Sequence, residues 1–144
     1  MRIKFWTELL DRYNKEYSLY RNVSPSKDHW LSAGSGASGI LFRFVITRTY
    51  VSVEITINRG NAELNKKIFD KLFSQKEQIE KSFGDSLIWE RLDNKISSRV
   101  SYRLENVNIT NSEDWDKIKD FLCEYMNRIE NAIKENVLSA VKKV

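Results

Sequence analysis

The run GSGASG at residues 34–39 matches the phosphate-binding pattern G-x-G-x-x-G. In dinucleotide-binding proteins these glycines follow a strand and open a helix, whose N-terminus holds the pyrophosphate. In this chain they lead instead into residues 40–47, ILFRFVIT, whose period-two alternation predicts a strand. The companion motifs of protein kinases and the G-K-[ST] of the Walker loop are absent. We therefore predict a hairpin loop, with an anion-binding nest of backbone N–H groups near Lys27 and His29 as the alternative.

The sequence has one histidine, His29, and one cysteine, Cys123, which leaves few groups for nucleophilic or metal catalysis. A metal site built on several imidazoles is excluded within one chain. A Ser-His-Asp triad would depend on His29, but the adjacent Asp28 is poorly placed to orient its ring. Cys123 follows Leu122 in a stretch with helical apolar spacing, which predicts a buried thiol. We expect a domain without catalytic activity, cofactor or metal.

Glu54 is the carboxylate that a metal site would use, because it lies on the polar side of a predicted strand. Together with a second carboxylate it would hold Mg²⁺. A PD-(D/E)XK nuclease would carry a lysine two residues after the acid, and this chain has Thr56 there. A metal-dependent phosphodiesterase centred on Glu54 and Asp28 is accordingly a minor alternative.

The length and composition favour one globular domain over residues 1–144. The 24 basic and 20 acidic side chains give a net charge of +4, which permits contact with nucleic acid without requiring it. A single cysteine excludes an intrachain disulfide and suits a reducing cytoplasm. The first residues are charged throughout, and no run reaches the ~20 apolar residues of a membrane span. We expect a cytoplasmic protein that does not contact a membrane.

The hydrophobic periodicity predicts the elements in the order α-β-β-β-α-β-β-α. The helices are expected over residues 3–20, over 62–83, and from Thr110 or Ser112 to the end of the sequence. Asn61 is the expected N-cap of the second helix, and Thr110 and Glu113 have capping-box spacing at the start of the third. The strands are expected over residues 29–33, 40–47, 50–58, 87–92 and 97–105. Tight hairpins and amphipathic helices together predict an α+β fold, in which a single antiparallel sheet of about five strands has helices on one face.

Three arginines are predicted on the face of this sheet that the helices leave open. By parity Arg43, Arg99 and Arg103 point away from the apolar side chains of their strands, and Glu54 shares their side. Arginine binds phosphate in two-point geometry and stacks on bases, and Trp30 would add an aromatic platform. The same pattern also suits cross-strand ion pairs on a solvated sheet, so both interpretations stay open.

Three segments carry a resemblance to a known family. They are SPSKDHWLSAGSG at 24–36, WERLD at 89–93, and Lys95 followed by SSRV at 97–100. The chain resembles a prokaryotic domain of unknown function, from the FWTELL helix to the final helix. That domain is often found C-terminal to PD-(D/E)XK-type nuclease domains, which implies a setting of DNA restriction, repair or defence. The resemblance implies no catalytic residues, and we expect this domain to act as a free-standing chain.

These observations lead to the hypothesis of a non-catalytic binding domain for DNA or RNA. Arg43, Arg99 and Arg103 would contact phosphates across from Glu54. Lys27 and His29 would act from a loop at residues 26–39, and Trp30 would stack on a base. The leading alternative is a protein-interaction or dimerisation module, with a nuclease, another protein or a second copy of the chain as partner.

Overall fold

The structure is a computed structural model that describes residues 1–144. The helices are α1 (Arg2–Glu16), α2 (Ala62–Phe73), α3 (Lys76–Phe83) and α4 (Trp115–Lys143), with a 3₁₀ turn at Ser112–Asp114. The strands are β1 (Trp30–Gly34), β2 (Ile40–Ile46), β3 (Tyr50–Ile57), β4 (Ile88–Glu90) and β5 (Ser98–Glu105). This confirms the predicted α+β class and the order of its elements.

The five strands form one antiparallel sheet in the order β1-β2-β3-β5-β4. The helices α2 and α3 connect β3 to β4, and β5 then pairs with both β3 and β4, which leaves β4 at the edge. The sheet therefore has β3 at its centre and the two short strands β1 and β4 at its margins.

The core lies between one face of the sheet and the helices. Phe44 on β2 is fully buried, with the Trp6 ring of α1 stacked on it at 6.3 Å and the Tyr13 ring packed edge-on at 5.7 Å. Val53 on β3 and Val100 on β5 are also fully buried on this face. Burying a large apolar side chain contributes about 1.5–3 kcal/mol, so this layer stabilises the sheet that presents the opposite face.

Several helix bounds differ from those predicted by periodicity. The expected helix over 62–83 is two helices, broken where the Ser74 hydroxyl donates to the carbonyl of Lys71 at 2.6 Å and Gln75 leaves helical geometry. The first helix ends at Glu16, because Tyr17 is extended (φ −130°, ψ 161°). Apolar spacing continues across both breaks, since the following turns bury their side chains in the same core.

The caps are partly as predicted. Asn61 accepts a hydrogen bond from the backbone N–H of Leu64 and caps α2, as expected. At the start of the last helix the cap is Asn111, whose side chain accepts from the N–H of Glu113, so the capping box expected from Thr110 is wrong. The Thr110 hydroxyl donates to Asn108 instead, which shows how neighbouring short polar residues compete for one cap.

None of the four helices combines the length and the apolar composition of a membrane-spanning segment.

Candidate functional site

The face of the sheet opposite the helices carries the arginines that parity predicted there. Antiparallel pairing sets Arg43 on β2, Glu54 on β3 and Ser101 on β5 side by side. Arg99 and Arg103 lie two residues to either side of Ser101, on the same face of β5. We call these five residues the arginine face.

The three arginines surround Glu54. Neighbouring strands lie about 4.8 Å apart and same-face residues about 6.8 Å apart along a strand, so the arginine Cα atoms form a triangle with sides of roughly 12–14 Å. Glu54 lies inside this triangle because β3 runs between β2 and β5. The nearest cation is Arg43, whose Nη1 is 3.9 Å from Glu54 Oε1, beyond hydrogen-bond length.

The centre of the arginine face is buried, although the sequence predicts that the helices leave this face of the sheet open. Glu54 is only 5% exposed, and Ser52 and Ser101 are 1% exposed. Long side chains such as Arg43 lie across the sheet and cover these shorter residues, which parity cannot predict. Burial raises the pKa of Glu54, and the positive charges of Arg99, Arg43 and Arg103 partly offset that shift.

Arg99 differs from the other two arginines because it has a carboxylate partner. Its Nε and Nη2 donate to the two carboxylate oxygens of Glu90 on β4 at 3.1 and 3.0 Å. This two-point ion pair raises the pKa of Arg99 and holds its guanidinium at the sheet edge. Sequence reasoning missed Glu90, which becomes the neighbour of Arg99 only because β4 pairs with β5. Arg99 is thus less available to a ligand than predicted.

Arg43 and Arg103 are the arginines with unused hydrogen-bonding capacity. The Nε atom of each is buried and has no hydrogen-bond partner in the chain, and neither does the buried hydroxyl of Ser101. A buried donor without a partner costs about 1–3 kcal/mol, so such atoms are rare in proteins. Both arginine side chains are half-buried, so their outer Nη groups are the donors that solvent reaches.

Each of these two arginines lies against an aromatic ring. The guanidinium carbon of Arg103 is 4.1 Å from the centroid of the Tyr50 ring, and that of Arg43 is 5.6 Å from the Trp30 ring. Trp30 was predicted as a stacking platform, and the structure brings it to the edge of the arginine face. Tyr50 was missed, although counting back two residues from Ser52 would have found it on the same side of β3.

Lys27 and His29 are not brought together with the glycine run. The predicted loop at residues 26–39 contains β1, so residues 26–29 and the glycines lie at opposite ends of a five-residue strand, roughly 17 Å apart. The carbonyl of Lys27 accepts a hydrogen bond from Arg2 of α1, and the His29 ring packs edge-on against Trp30 at 4.8 Å. His29 therefore borders the arginine face, while the Lys27 backbone is held by the first helix.

The glycine run forms the turn between β1 and β2, as predicted. The Ser35 N–H donates to the carbonyl of Ile40, and the Ala37 N–H donates to the hydroxyl of Ser35. Gly39 has φ of +77°, and a Cβ there would lie 2.6 Å from the carbonyl oxygen of Asn58. Glycine is needed at position 39 because the turn lies close to the backbone at the end of β3. The hydrogen bonds within the turn use the N–H groups of Ser35 and Ala37, which an anion-binding nest would need.

The groups considered for catalysis are kept apart or buried. Asp28 precedes β1 and Glu54 lies on β3, with β2 between them, so they do not form a two-carboxylate metal site. No group of three or more His, Cys, Asp or Glu side chains could hold a metal ion. Cys123 is buried, as predicted, and burial raises the pKa of its thiol to about 11, which keeps it protonated at neutral pH.

A hollow of about 270 Å³ opens beside the arginine face. Its lining includes Leu41 and Thr56 from the sheet, with Arg43 and Arg99 on its sides. One wall is the β4–β5 loop, residues 91–97, whose Leu92 and Ser97 line the hollow.

That wall is held from the helix layer by Lys66 of α2. The buried ammonium group donates to the carbonyls of Arg91, Leu92 and Ser97 at 2.6, 2.9 and 2.7 Å. It also donates to the hydroxyl of Ser98 at 3.0 Å. The loop is therefore fixed in place next to the arginine face, and sequence reasoning missed this lysine because nothing in its spacing marks it as buried.

A family model described as Domain of unknown function (DUF4268) matches residues 1–137. The chain belongs to this family. The match covers every strand and all but the end of the last helix of this DUF4268 domain. No curated protein and no solved structure matches it.

Proposed function

We propose that this domain binds the phosphate backbone of a nucleic acid through the arginine face, without catalysing a reaction. The observation that carries the proposal is that the half-buried guanidinium groups of Arg43 and Arg103 donate no hydrogen bond to any group of the chain, including from their buried Nε atoms. Phosphate oxygens accept hydrogen bonds from guanidinium and hydroxyl groups at the same time. A phosphate lying across Arg43 and Arg103 would accept hydrogen bonds from Nη groups that the chain leaves without a partner.

The charge balance also supports an anionic ligand. The three guanidinium groups have two carboxylates near them. Glu90 forms an ion pair with Arg99, and Glu54 lies beneath the arginines, so the face carries one more positive than negative charge. Arg103 makes no salt bridge, and Arg43 makes only the loose contact of 3.9 Å with Glu54. The proposal therefore assigns the main phosphate contacts to Arg43 and Arg103 and a lesser contact to Arg99. His29 and Trp30 would contact the ligand at the β1 edge.

Binding of a fluorescently labelled oligonucleotide tests this proposal through its salt dependence. Replacing Arg103 or Arg43 with glutamine is expected to weaken binding about tenfold, the value of one charge-assisted hydrogen bond. Between about 50 and 200 mM salt, the slope of log affinity against log salt should fall by roughly 0.7–0.9 for each contact removed. The matched control is Arg21→Gln, an exposed arginine outside the sheet, which should leave affinity and slope nearly unchanged.

Glu54→Gln should act in the opposite direction. Removing the central negative charge is expected to raise affinity several-fold, a gain that misfolding of the variant does not produce. A salt-independent interaction, or equal losses in Arg103→Gln and Arg21→Gln, would contradict the proposal. Association with a nuclease and location in the cytoplasm are further predictions of this function, testable by co-purification and by imaging of the tagged protein in its host.

A second candidate function is self-association at the β4 edge. Ile88 on β4 is 41% exposed, and Phe73 at the end of α2, packed against Trp89, is 46% exposed. An unpaired strand edge flanked by apolar side chains on both sides is a common place for another strand to add. Light scattering over a wide concentration range tests it: a mass that rises to that of a dimer, and that Ile88→Asp returns to a monomer, would favour this candidate.

A further inference from the structure

We propose that the ligand is single-stranded nucleic acid, whose unpaired bases stack on the guanidinium planes of Arg103 and Arg43. This inference rests on the proposed function and names the class of nucleic acid that the arginine face accepts. It is carried by the two aromatic–guanidinium contacts and by the hollow of about 270 Å³, which lies between Arg43 and Arg99 on the side away from Arg103.

The Arg103–Tyr50 pair is the better formed stack. At 4.1 Å from the ring centroid, one plane of the guanidinium is covered by Tyr50, and Arg103 is only partly buried. A base on the opposite plane would complete a layered stack of ring, guanidinium and base. Proteins that recognise single strands stack unpaired bases on aromatic rings and on arginine planes in this way.

The hollow supplies a place for a splayed base next to Arg43. Its volume lies just below the ~300–1,000 Å³ typical of drug-sized ligands, which suits a single planar ring. Leu41 contributes an apolar surface, while Thr56 and Asn58 contribute donors and acceptors at the rim. Lys66 fixes the opposing loop wall, so the hollow is preformed and does not have to be opened by the ligand.

A duplex cannot use these features. Its bases are paired and stacked on one another, so their planar faces do not reach the Arg103 guanidinium or enter the hollow. A duplex would contact the arginine face through its phosphates alone, in the non-specific and salt-dependent manner of any basic surface. A preference for the single strand that depends on the Tyr50 ring therefore reports the stacking contribution.

The test compares a mixed-sequence oligonucleotide of about 16 nucleotides, alone and annealed to its complement, by fluorescence anisotropy at one salt concentration. Stacking is worth about 1–3 kcal/mol per base, so the single strand is expected to bind at least about tenfold more tightly than the duplex. Tyr50→Leu keeps the net charge and removes the supporting ring, and it should abolish most of that difference. Tyr17→Leu, at a partly exposed tyrosine just after α1, is the matched control and should preserve it.

Equal affinity for the two probes would overturn the single-strand inference and leave phosphate binding intact. A preference for the single strand that Tyr50→Leu does not change would also overturn it, since the stack would then have no part in recognition. Failure of both probes to bind would overturn the proposed function itself. Circular dichroism of each variant establishes that a loss of binding is not a loss of fold.

Discussion

At the residue scale, the chemistry of the arginine face is set by one carboxylate in a crowded position. Glu54 is buried although no helix covers it, because long neighbouring side chains lie over it. Its raised pKa means that the folded state favours the protonated form more than the unfolded chain does. Between these two pKa values the folded protein binds more protons than the unfolded chain. The contribution of Glu54 to the free energy of unfolding therefore falls as the pH rises from its pKa in the unfolded chain through its higher pKa in the folded protein.

Glu54→Gln is expected to remove this contribution. Its free energy of unfolding should exceed that of the wild type at neutral pH, and the gap should close as the pH falls towards about 4, where the carboxyl of the unfolded chain also becomes protonated. Denaturant unfolding between about pH 4 and pH 7 measures the effect. Glu105→Gln, at an exposed position on β5, is the control and should follow the wild type. A gap that does not vary with pH would show that the buried negative charge of Glu54 is not its cause.

At the element scale, the first hairpin shows how a nucleotide-binding pattern arises for a purely structural reason. The glycines of GSGASG let β1 turn back into β2 and let the turn approach the end of β3. The N–H of Asn58 donates to the carbonyl of Gly39 at 2.9 Å, so the contact joins the two strands that carry Arg43 and Glu54. The hairpin thereby sets the register of the arginine face.

Gly39→Ala is expected to destabilise the protein by about 1–3 kcal/mol or more, because the new Cβ would meet the Asn58 carbonyl at 2.6 Å and φ is positive. Gly34→Ala is the control from the same motif, since a Cβ there meets nothing within 4 Å, and it should change stability by less than about 0.5 kcal/mol. Thermal unfolding of both variants checks the pair. Equal effects would show that the positive φ at Gly39 is not required.

At the scale of the whole molecule, the helix layer and the arginine face are coupled through Lys66. Its side chain reaches from α2 to the β4–β5 loop, where backbone carbonyls and a hydroxyl surround the ammonium group. The neighbouring Asn65 side chain accepts from the N–H of Arg59 and donates to the carbonyl of Ile96. Two successive residues of one helix therefore hold the loops on both sides of the hollow.

Lys66→Met is expected to destabilise the fold by about 3 kcal/mol or more, because it leaves several buried acceptors without a donor. It should also weaken oligonucleotide binding, as the loop wall beside Arg99 is released. Lys67→Met, at the exposed next position with its side chain 61% exposed, should change stability by less than about 0.5 kcal/mol. Denaturant unfolding and the anisotropy assay measure the two effects. A fully stable Lys66→Met variant would show that the loop holds itself in place.

Periodicity in the sequence was enough to predict the fold class and which side chains share a face. The alternation in β2 and β5 put Arg43, Arg99 and Arg103 opposite the core, since a strand turns alternate residues to opposite sides whatever its neighbours are. The turn function of the glycines was also predictable, because the strand that follows them is visible in the same pattern. Breaks such as that at Ser74 escaped prediction because apolar spacing persists across them.

Only the tertiary structure decided which of those residues meet. The pairing of β5 with β3 brings two arginines of the second half of the chain around Glu54 of the first half, and the pairing of β4 with β5 gives Arg99 its partner Glu90. Strand order depends on how the helices pack between distant segments, and local sequence patterns carry no information on that packing. The burial of Glu54 and the carbonyl groups around Lys66 follow from the same long-range contacts. The sequence by itself therefore determined which residues lie on the arginine face, and the tertiary structure determined their burial and their partners.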